Sequence, residues 1–122
     1  MSGQDLSTGE INALLGRGTE YEGKLICRGR VRIDGKFTGE IFSEDVLILG
    51  ESAEVHATSL EVGTLIVRGG TLHGNVIATQ LIEVYAPSRI YGNLTAPQVY
   101  LDKGAFFEGQ CTMGKPAGEP RE

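Results

Sequence analysis

Residues 72–94 read LHGNVIATQLIEVYAPSRIYGNL, and this stretch decides the fold. It opens on Leu72-His73-Gly74-Asn75-Val76, which returns 18 residues on as Ile90-Tyr91-Gly92-Asn93-Leu94. Working outward, the same apolar–x–Gly–x–apolar pattern occurs as Tyr21-Glu22-Gly23-Lys24-Leu25, Phe37-Thr38-Gly39-Glu40-Ile41 and Phe107-Glu108-Gly109-Gln110-Cys111. A degenerate copy, one residue longer and without Gly, runs from Val55 to Leu60. The leading apolar residues stand at 21, 37, 55, 72, 90 and 107, in steps of 16, 18, 17, 18 and 17. A period held over six copies marks a repeat architecture.

Between copies lies an apolar pair two residues apart: Val31/Ile33, Val46/Ile48, Leu65/Val67, Ile82/Val84 and Val99/Leu101. A further alternation follows each Gly motif, as Leu25/Cys27, Leu60/Val62, Val76/Ala78, Leu94/Ala96 and Cys111/Met113. Period-2 alternation marks strands with one buried face. Each period of about 17 residues therefore supplies three short strands joined at corners. Gly suits such corners because positive φ costs it little. Gly23, Gly39, Gly74, Gly92 and Gly109 are expected to form one corner column, and Gly35, Gly50, Gly69 and Gly104 another.

These features predict an all-β chain, a right-handed parallel β-helix of about six three-strand coils. Its handedness follows the general crossover rule. Coils stack about 4.8 Å apart. The hexapeptide period of a left-handed β-helix is absent. The solenoid is expected over residues 15–113, with a flexible tail at 1–14 and a disordered, Pro-containing tail at 114–122. A local bulge is expected in the third coil, where the corner Gly is missing.

Composition agrees. With 122 residues there is room for one core. Gly makes up 18 of them, about twice ordinary usage, which argues against a helical bundle. No apolar run reaches 18 residues and no signal-like N-terminus is seen, so a cytoplasmic protein is expected, its two cysteines reduced. Those cysteines fall on the first and last coils, too far apart for a disulfide.

The sequence resembles the bactofilins, bacterial cytoskeletal proteins with a β-helical core. The resemblance rests on Leu15-Gly16-Arg17-Gly18-Thr19, Val31-Arg32-Ile33-Asp34-Gly35, Gly74-Asn75-Val76-Ile77-Ala78 and Gly104-Ala105-Phe106-Phe107-Glu108-Gly109-Gln110-Cys111, and spans about residues 14–113. It implies nucleotide-independent filaments that grow by end-to-end stacking. It also implies a scaffolding role in cell shape, envelope synthesis or protein positioning, with unidentified client proteins.

The terminal coils of any β-helix leave backbone N–H and C=O groups without a neighbour. Solenoids ordinarily blunt such ends with polar or helical caps. The last coil here carries Phe106, Phe107, Cys111 and Met113, followed by a short Gly/Pro tail. These four are the expected C-terminal polymerisation surface, and Leu14, Leu15, Tyr21 and Leu25 the N-terminal one.

Residues 24–36 hold Lys24, Arg28, Arg30, Arg32 and Lys36 against a single acid, Asp34. Arg28, Arg30 and Arg32 alternate with other residues and are expected on one solvated strand face. Solubilising charge is the plainer account of this first coil. Its alternative is a patch for an anionic surface, which would make the protein a non-polymerising adaptor. Such an adaptor would dock a membrane-associated or chromosome-segregation partner. Direct nucleic-acid binding is disfavoured by a net charge of −5 and the lack of a recognition motif. Leu6, Ile11, Leu14 and Leu15 offer some apolar character for the inner face of the cytoplasmic membrane, opposed by Asp5 and Glu10.

Catalysis is not expected. No acid pair occupies matching positions, the corners are too short to build a cleft, and Gly16-Arg17-Gly18 lacks the third Gly and the βαβ context of a dinucleotide loop. His56 and His73 share a register and should stack on adjacent coils, without a third metal ligand. Asn75, Asn93 and Gln110 should form an amide column. No cofactor, metal or small-molecule substrate is expected.

Overall fold

The computed structural model describes residues 11–113, and these form ten strands joined in one parallel sheet wound into a solenoid. The strands are β1 (Ile11–Leu15), β2 (Glu20–Cys27), β3 (Arg30–Ile33), β4 (Lys36–Ser43) and β5 (Val46–Leu49). They continue as β6 (Glu54–Val67), β7 (Thr71–Val84), β8 (Arg89–Ala96), β9 (Val99–Leu101) and β10 (Phe106–Met113). Every pairing joins strands one coil apart. Each coil has three sides. The first and second lie on one strand bent at its middle, as in β4. The third is a separate strand such as β5, or the C-terminal part of β6 or β7.

The leading residues of the repeat fall in one ladder: Tyr21, Phe37, Val55, Leu72, Ile90 and Phe107. From Phe37 to Ile90 this column is fully buried, with Ile41, Leu60, Val76 and Leu94 beside it on the second side. Burying each such side chain contributes about 1.5–3 kcal/mol relative to exposure, so stacked columns of this kind supply most of the driving force. No single coil provides it alone.

The bend between the first and second sides is made by Gly. Gly92 has φ 136°, and a Cβ there would overlap the carbonyl of Gly74 on the coil below. The third coil solves the same bend differently. Ala57 stands in the Gly ladder, and the register shifts directly after it because Thr58 is extra. The expected bulge is therefore present. The Ala57 methyl is buried in the core, and the Thr58 hydroxyl donates to the Gly39 carbonyl across 3.4 Å.

Three details differ from the sequence reading. On β5 the inward residues are Leu47 and Leu49, not Val46 and Ile48: Leu47 follows Val31 and Leu49 follows Ile33 in the ladders. Four apolar residues in a row conceal which alternate pair faces in. Second, Gly35, Gly50, Gly69 and Gly104 do not share a column. The backbone ladder at that corner runs through Thr19, Gly35, Ala53, Gly70 and Ser88, with Ala53, Gly70 and Ser88 in turn accepting from Thr71, Arg89 and Phe106. Small size is what the corner selects. Its length varies from two residues after β3 to four after β5, which produces much of the unevenness in the period.

Third, the ladder begins at Ile11. Strand β1 pairs with β3 and supplies a third side one coil before β2, so residues 11–14 are not part of a tail. The rest of the expected tails, residues 1–10 and 114–122, lies outside the described residues.

Candidate functional site: the open ends and their surroundings

At the C-terminal end, β10 pairs only with β8 and β9 only with β7, so the outer edges of both strands are unpaired among the described residues. The core columns run straight out through this edge. Phe107 follows Ile90, Cys111 follows Leu94, Met113 follows Ala96 and Leu101 follows Val84. Phe107 still packs partly on the core, whereas Met113 is 56% exposed. Phe106 differs from its neighbour. It stands in the outward column behind Arg89 and tilts against Tyr91, ring centroids 5.6 Å apart. Leu101 belongs to this surface and was missed from sequence, because its pair with Val99 looked like any other core pair.

The N-terminal end mirrors this arrangement. Strand β2 pairs only with β4, and β1 only with β3. Tyr21 stacks on the buried Phe37 at 5.3 Å with rings 7° from parallel and has no second ring partner among the described residues, and Leu25 is half-buried against the core. Leu15 stands in the register of inward Ile33 and Leu14 in that of outward Arg32. The side chains of Leu14 and Leu15 lie outside the described residues. Ile26, 70% exposed on β2, went unnoticed because it occupies an outward position.

The five basic residues of the first coil do not make one patch. Lys24 lies on the second side, its ammonium 5.3 Å from the Phe42 ring centroid. Arg28 sits at the corner before β3, not on the strand face expected for it. Only Arg30 and Arg32 share the third side. Lys36 opens β4 on the first side. Arg32 Nε donates to Asp34 at 2.7 Å, which raises the guanidinium pKa further. The charge is a girdle, divided among three sides.

His56 and His73 stack as expected, centroids 4.4 Å apart, and the stack continues to Tyr91 at 4.7 Å. Among the described residues no group of three or more His, Cys, Asp or Glu is placed to hold a metal ion. Asn93 Nδ2 donates to Asn75 Oδ1 at 2.8 Å, the first rung of the amide column, with Gln110 next in register. Both cysteines are free thiols with pKa raised chiefly by burial. No helix among the described residues is long and apolar enough to cross a membrane.

Short corners, a filled core and columns running out at both ends define the class: a compact parallel β-solenoid. Residues 13–112 match the family model for bactofilin, described as polymer-forming cytoskeletal. The chain is 31% identical over 113 residues to bactofilin BacP of Myxococcus xanthus, covering 91% of this chain and 46% of that protein. It is 26% identical over 106 residues to bactofilin BacO of the same organism, covering 84% and 79%. The chain thus spans about half the length of BacP and most of BacO. The solid-state NMR structure of the cytoskeletal bactofilin BacA superposes with a TM-score of 0.74 at 28% identity, covering 85% of this chain and 98% of that one. The chain belongs to the bactofilins, a polymer-forming cytoskeletal family.

Proposed function

We propose that this chain assembles end to end into nucleotide-independent filaments in the cytoplasm and acts as a scaffold for client proteins, a structural role and not a catalytic one. One observation carries the reading. The inward columns reach both ends of the rod without a capping residue among those described, leaving Tyr21, Phe107, Cys111 and Met113 with covering groups on one side only. A neighbouring subunit would supply the missing coil, burying apolar side chains and pairing open strand edges together. The family's polymer-forming description supports the same conclusion. The divided basic girdle gives less support to an adaptor docked through its first coil.

The test is high-speed pelleting and negative-stain microscopy of purified protein without nucleotide. Wild type is expected to pellet as filaments. Phe107→Arg places a charge in the column behind Ile90 and is expected to leave folded subunits, verified by circular dichroism, in the supernatant. Wild type that stays soluble and monomeric, or Phe107→Arg filaments indistinguishable from wild type, would overturn the reading.

A further inference from the structure

The third side ends in a notch. Strand β10 stands one coil beyond β9, and no described strand pairs with the outer edge of Val99–Leu101. On this side the bonds to each following coil are made by the inward residues. The carbonyls of Ile33, Leu49, Val67 and Val84 accept from Gly50, Arg68, Tyr85 and Asp102, and the Ile82 N–H donates to the Gln98 carbonyl. The alternate, outward residues turn their N–H and C=O groups back to the preceding coil. On β9 the inward residues are Val99 and Leu101, in register with Ile82 and Val84. Their N–H and C=O groups therefore point out of the notch. An open edge of this kind is what natural sheets cover, charge or interrupt with Pro.

The sequence that follows Met113, outside the described residues, fits this notch. Met113 is in register with Ala96, and the chain passes from Ala96 to the first inward residue, Val99, in three steps. Three steps also lead from Val62 to Leu65. The same count from Met113 sets Pro116 after Val99 and Gly118 after Leu101. Lys115, Ala117 and Glu119 then take the outward positions, whose backbone groups face β9. The Lys115 carbonyl meets the Val99 N–H, and the Glu119 N–H meets the Leu101 carbonyl. Ala117 answers the remaining two groups, its N–H at the Val99 carbonyl and its carbonyl at the Leu101 N–H. None of these three residues is proline. Pro116 and Pro120 fall at the alternate positions, whose N–H would point away from β9. Proline has no N–H to present there, so the new edge is blunted against a further strand. The four-step connection that leads from Ala78 to Ile82 would instead set Pro120 opposite the Leu101 carbonyl, with no donor to offer it. We infer that residues 115–119 pair with β9 as a parallel edge strand and cap the third side.

Any subunit that joins the C-terminal end needs the same edge, so the cap and the neighbour compete for it. The cap sets a few hydrogen bonds, with little apolar surface buried, against the ordering of a short segment. A neighbour covers Phe107, Cys111 and Met113 as well, and so displaces it. The segment is thus a brake on assembly at this end. The cap stands without the filament reading, the brake rests on it, and the test separates the two.

Amide hydrogen exchange, read residue by residue by NMR in Phe107→Arg subunits, tests the cap. The Val99 and Leu101 amides are expected to exchange at least about tenfold more slowly than in the same subunits carrying Ala117→Pro, which removes the N–H aimed at the Val99 carbonyl. Gly118→Pro, which removes an N–H directed away from β9, is expected to keep the protection. Only uncapped subunits can join a filament. In the otherwise wild-type chain, Ala117→Pro should therefore lower the concentration at which a high-speed pellet first forms by the same factor. The cap is overturned if Val99 and Leu101 exchange equally fast with and without Ala117→Pro, or if Gly118→Pro releases them and Ala117→Pro does not. Protection that fades on dilution would give the edge to a second copy and overturns a cap made within one chain. Protected amides with an unchanged pelleting threshold overturn the brake alone. No pellet from any of these chains overturns the filament reading, and the exchange rates still decide the cap.

Discussion

A side chain at Gly92 would need a left-handed backbone and the space already taken by the Gly74 carbonyl. Gly92→Ala is expected to lower stability by at least about 1–3 kcal/mol, the cost of a non-Gly residue in such a conformation, read from urea unfolding midpoints. Gly16 provides the control. A Cβ at that position meets nothing within 4 Å, so Gly16→Ala should stay within about 0.5 kcal/mol of wild type. The contrast locates the strain in the ladder and not in glycine content as such.

Bends, bulges and corners make up the next level, and the third coil is its most informative element. Deleting Thr58 restores the five-residue spacing of the other copies, but it forces Ala57 into the bend that Gly occupies elsewhere. The deletion alone is expected to cost about 1–3 kcal/mol. Adding Ala57→Gly should recover most of that, a non-additivity measurable in a double-mutant cycle. Such reasoning shows which elements the sequence declares. The first ladder was legible from Tyr21 to Phe107 because a Gly at constant offset flags five copies and their even spacing locates the sixth at Val55. Strand β5 was not, since Val46-Leu47-Ile48-Leu49 has no polar residue to reveal its alternation. Strand β1 carries no copy of the motif and joins the solenoid through backbone pairing with β3. The exposed ends were legible as strand edges, but Phe106 was grouped with Phe107 on the end surface although the Gly motif places only Phe107 in the inward ladder.

Over the whole molecule, each coil depends on its neighbours, so the terminal coils are the least supported parts of the described chain. Cys111 reports on one of them. It is exposed, in line with Leu94, and a subunit seated on the C-terminal end would cover it. Its raised pKa means fewer thiolates at a given pH than an ordinary cysteine has, so alkylation should gain speed only at higher pH. At pH 8.5, iodoacetamide labelling of Cys111, followed by peptide mass spectrometry, is expected to slow at least tenfold when Phe107→Arg subunits are replaced by assembled wild type. Equal rates would show that the end stays uncovered.

The ends are also not level. Among the described residues, β1 adds a lone third side before the first full coil, and β10 adds a first and second side after the last. A three-sided prism with level ends accepts a neighbour in three rotational settings, but a stepped end accepts one. In the proposed filament each joint would thereby be keyed against rotation. A rod built from keyed joints carries torque along its length, and its three sides would run as unbroken stripes from one subunit to the next.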